Sequence, residues 1–433
     1  MDTRELYRLF IDSSGVATDS RAVAPGSIFF ALRGENFDGH AFVSRAIESG
    51  CSMAVIDDAG FAIKGKTILT GNVLLSLQQL ACFHRQHFDI PVLAITGSNG
   101  KTTSKELVRD VLSSRYSTLA TRGNLNNHIG VPLTLADLKR SHQIAIIEMG
   151  ANHIGEIDNL CNIAMPDHGL ITNIGSAHLE GFGSPEGVRK AKSELFRYLK
   201  KTGGRAFLNT LRPELNELSE EIRLDFIPFG TTEECFVAGE LTGSGEFLEI
   251  QIKSRKFGES FDLMTRLTGS YNFENVLAAV CIGTYFGVSP GEIKKAVENY
   301  VPENNRSQIV QTVTNKLLLD AYNANPDSMK AALVDFFSMP GENKSVILGD
   351  MFELGPYAAE EHQKIVELLK KYDCRDAILV GSEFCKVAEA GSYRRFENTD
   401  GLIGWLARNP FTDRFILLKG SRGMQLEKCV AVL

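Results

Sequence analysis

Between Val92 and Thr103 the chain reads Val-Leu-Ala-Ile-Thr-Gly-Ser-Asn-Gly-Lys-Thr-Thr. The uninterrupted apolar run Val92–Thr96 is typical of a strand buried on both faces of a parallel sheet. A glycine-rich turn follows, and the pattern after it predicts a helix from about Lys101 to Ser114. At such a turn, backbone N–H groups and the helix N-terminus can bind phosphate. The stretch therefore indicates a phosphate-binding loop, with a plain glycine-rich turn as the alternative.

The alternation of strands and helices continues on both sides of this loop and predicts an α/β protein with three domains. The predicted domains are a small α/β N-terminal domain over 1–88, a central phosphate-loop ATPase-like parallel sheet over 89–301, and a C-terminal Rossmann-like doubly wound sheet over 302–433. Within 222–268 we expect antiparallel hairpins instead. The predicted strands are Ser27–Leu32, Met53–Ile56, Ile144–Glu148, Gly169–Thr172, Arg205–Leu208, Lys316–Leu319, Ser345–Leu348, Ala377–Val380 and Phe415–Leu418.

The composition of the 433 residues is that of an ordinary globular protein, with 43% hydrophobic and 23% charged residues. The formal net charge of −7 argues against nucleic-acid binding through bulk charge. The eight cysteines form no CxxC pair, which favours reduced thiols in a cytosolic protein. Met1–Glu5 lacks the apolar core of a signal peptide, and no apolar run approaches the ~20 residues that span a bilayer. We therefore expect a cytoplasmic monomer without a membrane span.

Three polar residues of the central region lie at positions where a functional side chain is expected. Glu148 ends the strand Ile144–Glu148, at the sheet edge where α/β proteins bind ligands, although a cap or surface charge is the alternative. His178 follows another strand end, where a lone histidine is usually structural. Lys192 lies in the apolar stripe of a predicted helix. It is either a functional lysine or one whose stem packs while its ammonium reaches water.

The C-terminal region carries a second group of candidates. Asp320 ends a predicted strand, and no structural role explains it. Asn325 and Pro326 suit the N-cap and first position of a helix. Lys419–Gly423 follows the final strand and is either an anion site or a solvated basic turn.

Together these residues resemble the Mur ligases, the ATP-dependent amide ligases that build the peptide of peptidoglycan. The resemblance covers nearly the whole chain in the expected order. Its motifs are Thr18–Arg21, Pro25–Gly34, Thr96–Thr103, Gly123–Pro132, Glu148–His153, Ala177–Gly183, Ala191–Glu194, Asp320–Asn325, Gly349–Gly355 and Lys419–Arg422.

Three of these motifs, Asn124–Pro132, Asn323–Asn325 and Gly349–Gly355, resemble the family member that adds D-alanyl-D-alanine to UDP-N-acetylmuramoyl-tripeptide. The resemblance implies that the tripeptide carboxylate attacks the γ-phosphate of ATP to give an acyl phosphate. The dipeptide amine then attacks the acyl carbon and releases phosphate. It also implies Mg²⁺ as cofactor and domain closure around substrates that bridge the three domains.

The resemblance further implies a role for each candidate residue. Lys101 contacts phosphate within the loop, Arg306 reaches phosphate from the C-terminal domain, and His178 and Lys192 hold a second metal, the lysine being carbamylated. The implied nucleotide contacts are Thr96, Gly97, Ser98, Asn99, Gly100, Lys101, Thr102, Thr103, Asn272, Asn275, Arg306 and Asp320; the metal ligands are Thr102, Glu148, His178 and Lys192; and the substrate contacts are Ser20 and Arg21 for uridine and Asn126, Asn127, Asn323 and Asn325 for the peptides.

Other functions remain open at this point. A sibling ligase that adds a single amino acid shares most motifs, but the Asp-Asn-Pro-Arg signature of the diaminopimelate-adding sibling is absent. Folylpolyglutamate synthetase shares the loop and the lysine without the asparagine-rich stretch. A phosphate-loop switch protein would carry an Asp where Glu148 stands. A nucleotide-sugar-binding protein without catalysis would not need Lys101, Thr102, Glu148, His178 and Lys192 together.

Overall fold

The computed structural model describes residues 2–34, 36–176, 178–387 and 393–433, so Ala177 of the His178 motif lies outside the described residues. Three main sheets organise this part of the chain. We call the parts built on them the N-terminal, central and C-terminal units. Each unit mixes helices with a mostly parallel sheet, which confirms the predicted three-part α/β fold. In the part described, no helix combines the length and apolar character needed to cross a membrane.

The N-terminal unit is built on a four-stranded parallel sheet in the order β1-β2-β5-β6, with a short β3–β4 hairpin beside it. Asp2 begins the first helix by accepting a hydrogen bond from the N–H of Glu5 at 2.8 Å. The elements are α1 (Thr3–Ile11), β1 (Val16–Ala17), β2 (Ile28–Phe30), β3 (Arg33–Gly34), β4 (Phe37–Asp38), α2 (Val43–Glu48), β5 (Met53–Ile56), β6 (Thr67–Leu69) and α3 (Val73–Arg85), with 3-10 turns at Gly39–Phe42 and Ala59–Phe61.

The central unit contains a nine-stranded sheet in the order β15-β14-β13-β12-β11-β10-β7-β9-β8. Its strands from β8 to β13 in this order are parallel, and β13, β14 and β15 form an antiparallel meander. The elements are β7 (Val92–Thr96), α4 (Lys101–Ser113), β8 (Thr118–Ala120), α5 (Gly130–Ala136), β9 (Ile144–Glu148), α6 (Glu156–Ala164), β10 (His168–Ile171), α7 (Leu179–Phe182), α8 (Pro185–Thr202), β11 (Arg205–Asn209), α9 (Pro213–Ile222), β12 (Phe226–Gly230), β13 (Val237–Ser244), β14 (Leu248–Ser254), β15 (Glu259–Met264), α10 (Asn272–Phe286) and α11 (Pro290–Asn299).

Two hydrophobic cores cover the faces of the central sheet. One lies between the sheet and helices α4, α10 and α11, and the other between the sheet and helices α5, α6 and α8. Strands β7 and β9 are buried along their whole length, which explains their uninterrupted apolar sequences. Helix α3 of the N-terminal unit packs against α5 and α6. Because β10, β7 and β9 are parallel neighbours, their carboxyl ends lie at the same edge of the sheet.

The C-terminal unit is a second doubly wound sheet in the order β16-β17-β21-β18-β19-β20, parallel except for the edge strand β16. The elements are β16 (Gln308–Gln311), β17 (Lys316–Asp320), α12 (Pro326–Ser338), β18 (Lys344–Gly349), α13 (Ala358–Lys371), β19 (Ala377–Val380), α14 (Ser382–Lys386), β20 (Arg394–Phe396), α15 (Thr399–Leu406) and β21 (Phe415–Lys419), with 3-10 turns at Gly355–Tyr357, Arg422–Met424 and Leu426–Val432.

The structure differs from the expected elements mainly at sheet edges. The edge strands β8, β16 and β20 are short or polar and were not predicted. Within 222–268, β12 pairs in parallel with both β11 and β13, so only the β13–β15 part matches the predicted hairpins. Periodicity identifies strands buried on both faces more readily than edge strands, because edge strands bury fewer side chains.

Candidate active site

A cavity of about 940 Å³ lies between the central and C-terminal units. It is at the edge of the central sheet where β7, β9 and β10 end, so the predicted strand-end residues meet there. The candidate residues that line it are Ser98, Asn99, Gly100, Lys101, Thr102, Thr103, Asn126, Asn127, Glu148, His178, Asn272, Asn275, Arg306, Asp320, Asn323 and Asn325.

The loop between β7 and α4 has the tight backbone that its glycines predict. Gly97 has a φ of +144°, and a Cβ there would lie 2.0 Å from Thr172 Oγ1. Gly100 has a φ of +78°, and a Cβ there would lie 2.6 Å from Asn275 Oδ1. The N–H groups of Ser98 and Asn99 donate to Asn173, just after β10. Glycine is therefore required at both positions, by conformation and by space.

Lys101 lies at the first position of α4 and folds back over this loop. Its Nζ donates hydrogen bonds to Gly97 O at 2.5 Å and to Ser98 O at 3.2 Å. Burial lowers the pKa of Lys101 to about 8, and the nearby Glu148 carboxylate opposes this shift. The ammonium is thus held where an anion bound at the loop would contact it. The Thr96 hydroxyl links two strand ends instead, because it is buried and donates to Met149 O at 2.8 Å.

Glu148 is buried at the end of β9 and lies against the start of α4. Its Oε1 accepts hydrogen bonds from Thr102 Oγ1 at 3.2 Å and from Asn126 Nδ2 at 2.8 Å. Its Oε2 lies 3.7 Å from Lys105 Nζ and has no hydrogen-bond partner within the described residues. A buried carboxylate oxygen without a donor is suited to a cation. The surface-charge alternative for Glu148 is therefore wrong.

Lys192 and His178 both lie next to Phe182, at the end of α7. Lys192 is 1% exposed, and its Nζ lies 5.2 Å from the Phe182 ring centroid with no hydrogen-bond partner among the residues described. Burial, together with the charge of Lys101, lowers the pKa of Lys192 to about 7. The alternative in which its ammonium reaches water is wrong. Lys192 does not itself line the cavity, whereas His178 does.

Arg306 and Asp320 enter the cavity from the C-terminal unit. The Arg306 guanidinium stacks on the Tyr322 ring, 3.6 Å from its centroid. Asp320 accepts hydrogen bonds from Ser307 N at 3.2 Å and from Lys419 Nζ at 2.5 Å. Lys419 is only 2% exposed, so the solvated-turn interpretation of that lysine is wrong.

Most of the candidate asparagines have defined partners. Asn325 caps α12 and also donates to Asn99 Oδ1 at 2.8 Å, which links the C-terminal unit to the phosphate loop. Asn127 accepts the N–H groups of Ile129 and Gly130 at the start of α5. Asn323 is exposed on the cavity wall.

Asn272 and Asn275 join helix α10 to helix α4 beneath the loop. Asn275 accepts from Ser104 Oγ at 2.9 Å and donates to Asn272 Oδ1 at 2.8 Å. Asn272 in turn donates to Thr268 O at 2.7 Å. Both amides border the cavity while holding the loop in place.

Ser20 and Arg21 are not part of this cavity. They lie in the N-terminal unit just after β1, where Arg21 pairs with Asp19 at 2.7 Å. The guanidinium is exposed, and Ser20 is nearly buried.

Sequence reasoning missed four residues around the cavity, three of which join the central and C-terminal units. Tyr322 supports Arg306, Asp327 accepts the N–H of Ser176 at 2.6 Å, and Asp335 accepts the N–H of Ser270 at 2.7 Å. Glu353 forms an ion pair with His178. Tyr322 and Glu353 lie inside motifs quoted above, but motif membership gave no indication of their partners.

Whether the site suits a metal ion depends on its hydroxyl, imidazole and lysine groups as well as on its carboxylates. Within the described ranges, no three His, Cys, Asp or Glu side chains form a group that could hold a metal by themselves. Glu148 Oε2 accepts no hydrogen bond within the described residues, and this is the observation that favours a cation here. Thr102, Glu148 and His178 supply oxygen and nitrogen donors, and Lys192 would supply oxygen if carbamylated.

Three family models match this chain in order. The Mur ligase family catalytic domain matches residues 12–76, the Mur ligase middle domain matches 95–283, and the Mur ligase glutamate ligase domain matches 305–422. The chain belongs to the Mur ligase family. The cavity described above thus lies between the middle and glutamate ligase domains of a Mur ligase.

Individual Mur ligases resemble the chain over almost its full length. It is 34% identical to the UDP-N-acetylmuramoyl-tripeptide–D-alanyl-D-alanine ligase of Bacillus subtilis (strain 168), covering 96% of this chain and 92% of that protein. It is also 34% identical to the ligase of the same name from Escherichia coli (strain K12), covering 99% and 95%. The crystal structure of MurF from Acinetobacter baumannii matches with a TM-score of 0.87 at 30% identity, covering 99% of this chain and 97% of that chain.

Proposed function

We propose that this chain is an ATP-dependent ligase that joins D-alanyl-D-alanine to UDP-N-acetylmuramoyl-tripeptide, giving the UDP-linked pentapeptide precursor of peptidoglycan. The observation that carries this proposal is the cavity in which the phosphate loop of the central unit faces Arg306 and Asp320 of the C-terminal unit. The names of the Bacillus and Escherichia relatives support the choice of substrates.

The reaction proceeds in two displacements. A terminal carboxylate oxygen of the tripeptide attacks the γ-phosphorus of ATP, ADP leaves, and an acyl phosphate forms. The free amine of D-alanyl-D-alanine attacks the acyl carbon, inorganic phosphate leaves, and the amine loses a proton as the amide forms. Neither step needs a nucleophilic side chain, so catalysis consists of positioning and stabilisation of phosphoryl charge.

Different residues around the loop bind different parts of ATP. The backbone N–H groups from Gly100 to Thr103, at the N-terminus of α4, bind the ATP phosphates, because those of Ser98 and Asn99 already donate to Asn173. Lys101 turns from Gly97 O and Ser98 O towards the phosphate oxygens, and its ammonium neutralises negative charge there. Arg306, held flat on Tyr322, approaches the transferred phosphate from the opposite wall. Asp320 contacts the nucleotide, and Asn272 and Asn275 lie on the adenine side.

The proposal also includes two magnesium ions. Thr102 and Glu148 would hold one ion, and His178 with a carbamylated Lys192 would hold a second. When bound, magnesium supplies positive charge to the phosphate oxygens. The carbamate forms when the neutral Lys192 amine attacks CO₂ and releases a proton. A pKa of about 7 leaves a large fraction of that amine neutral near pH 7.

Substrate binding would extend across all three proposed domains, 1–88, 89–301 and 302–433. Ser20 and Arg21 contact the uridine nucleotide, and the peptides reach the cavity from there. Asn126, Asn127, Asn323 and Asn325 are the proposed peptide contacts. We place the reaction in the cytoplasm and expect a monomer.

Phosphate release tests the proposal. The protein is incubated with ATP, Mg²⁺ and UDP-N-acetylmuramoyl-tripeptide, with and without D-alanyl-D-alanine, and the products are weighed by mass spectrometry. We expect phosphate release and a UDP-linked pentapeptide only when the dipeptide is present. Tripeptides with diaminopimelate or lysine at the third position are compared to identify the natural substrate.

Other outcomes would replace the proposal with a specific alternative. Release that depends on a single amino acid would assign the chain to a sibling ligase. Release without either co-substrate would favour a nucleotide switch protein. ATP binding without any release would favour a non-catalytic nucleotide-binding protein.

A further inference from the structure

The segment that follows β18 contacts the central unit beside the cavity. The carboxylate of Glu353 forms an ion pair with Nδ1 of His178. The Glu353 carbonyl also accepts a hydrogen bond from the N–H of Glu180 at 3.2 Å. The contact therefore involves the backbone as well as the side chains, and it joins the C-terminal unit to the start of helix α7.

Both residues of this pair have an unusual backbone conformation. His178 has a φ of +55° and Glu353 a φ of +62°. Residues other than glycine seldom adopt this left-handed region because the Cβ crowds the backbone, although asparagine, aspartate and histidine do so more often than the rest. His178 and Glu353, both in this region, lie against each other across the boundary between the two units.

The chemistry of the pair suits the orientation of an imidazole. His178 Nδ1 makes no hydrogen bond within the described residues, and the Glu353 carboxylate is the acceptor that lies against it. A neutral imidazole whose Nδ1–H is directed to a carboxylate keeps the lone pair of Nε2 for a metal ion. His178 lines the cavity, whereas Glu353 is absent from its walls. The carboxylate thus acts on the ring from outside the site.

The energetics argue against a purely stabilising role for the pair. The Glu353 side chain is 52% exposed, and the His178 side chain is 22% exposed. Ion pairs with such exposure contribute little to folding stability. A change of Glu353 is therefore expected to alter ring orientation without altering the unfolding temperature.

We propose that Glu353 is a positioning residue that completes the His178 metal site only when the C-terminal unit is docked on the central unit. This inference rests on the proposed function, which makes His178 a metal ligand. The Glu353–His178 contact would couple metal binding to docking of the units. Docking raises the affinity for the metal, and metal binding raises the docking equilibrium constant by the same factor.

Mn²⁺ binding tests the inference without relying on the amide-forming reaction. Mn²⁺ is titrated into the full-length protein with a non-hydrolysable ATP analogue, and free Mn²⁺ is followed by electron paramagnetic resonance. Glu353→Ala is expected to weaken the weaker Mn²⁺ site about 10-fold. Glu353→Gln is expected to weaken it less, because the amide oxygen also presents an acceptor to Nδ1–H. The control Glu360→Ala removes an exposed carboxylate of the same unit and leaves binding unchanged.

His178→Ala separates the two proposals. If His178→Ala weakens Mn²⁺ binding and Glu353→Ala does not, the inference is overturned and the proposed function stands. If neither variant changes binding, both the metal role of His178 and the inference fail. The double variant is expected to bind as weakly as His178→Ala, because Glu353 acts through that ring. A further loss in the double variant, or an equal drop in the unfolding temperature of Glu353→Ala, would assign Glu353 a separate structural role.

Discussion

Lys192 is a fully buried lysine in the apolar face of α8, with no hydrogen-bond partner for its amine within the described residues. Burying an ammonium among apolar groups is costly, which is why its pKa falls to about 7. A leucine would fill the same position without this cost. A residue that is costly for folding at such a position indicates a chemical use.

We expect carbamate formation at Lys192 to depend on pH around its lowered pKa. As the pH falls below about 7, the amine becomes protonated and cannot attack CO₂, so the carbamate is lost; above that pH the neutral amine predominates. The measurement is ¹³C NMR of the protein equilibrated at constant dissolved ¹³CO₂ from pH 6 to 8. A carbamate signal that persists in Lys192→Ala would assign it to another amine.

Lys192→Ala should lower the ligation rate by at least about 100-fold, because a metal ligand is lost. Short-chain carboxylates should restore part of the rate by replacing the carbamate. The matched control is Lys190→Ala, which removes an exposed lysine from the same helix. Equal rates in the two variants would remove Lys192 from the site.

Glu148→Gln should raise the Mg²⁺ concentration needed for half-maximal activity about 10-fold, because the charged oxygen beside Thr102 is replaced by an amide. The measurement is phosphate release as a function of Mg²⁺ at saturating ATP. Glu186→Gln, an exposed position in the first turn of α8, serves as the control. An unchanged Mg²⁺ requirement would show that Glu148 only supports the loop.

At the scale of elements, the strand–loop–helix unit of β7 and α4 was predictable almost to the residue. Its strand is apolar throughout, and its turn needs glycine where φ is positive, so each local preference favours the same structure. The short edge strands β8 and β16 were not predictable, because their pairing partners rather than their own residues define them.

Gly97→Ala tests the loop as an element. The added Cβ would meet Thr172 Oγ1 in a backbone conformation that alanine avoids, at a cost of about 1–3 kcal/mol. We expect nucleotide binding, measured by calorimetry, to be lost before the fold is lost. Gly291→Ala is the control, since a Cβ there meets nothing within 4 Å, and it should leave binding unchanged. Wild-type nucleotide affinity in Gly97→Ala would contradict the loop assignment.

At the scale of the whole molecule, the C-terminal unit is joined to the central unit by polar contacts around the cavity. They include Asn325 on Asn99 and Asp335 on Ser270. Polar contacts of this kind form and break at low cost. We therefore expect the two units to separate for substrate entry and to close again, which would exclude water from the acyl phosphate.

Asp335→Ala removes the hydrogen bonds to the Ser270 backbone and hydroxyl. We expect the docked arrangement to lose about 1 kcal/mol. The radius of gyration from small-angle X-ray scattering should increase, and the KM for ATP should rise about 5-fold with a smaller effect on kcat. Asp400→Ala, an exposed aspartate in α15, is the control. A compact variant with unchanged KM would show that the other contacts suffice for docking.

The sequence by itself determined the α/β class, the phosphate loop, the strand-end position of Glu148 and the place of Lys192 in the apolar stripe of its helix, because periodicity and turn chemistry depend on neighbouring residues. Only the tertiary structure decided which polar groups meet across the cavity. Three contacts are examples: Arg306 on Tyr322, Lys419 on Asp320, and His178 on Glu353. Each brings together residues from separate strands, loops or units. Such contacts depend on packing and on positive φ values that no local pattern specifies.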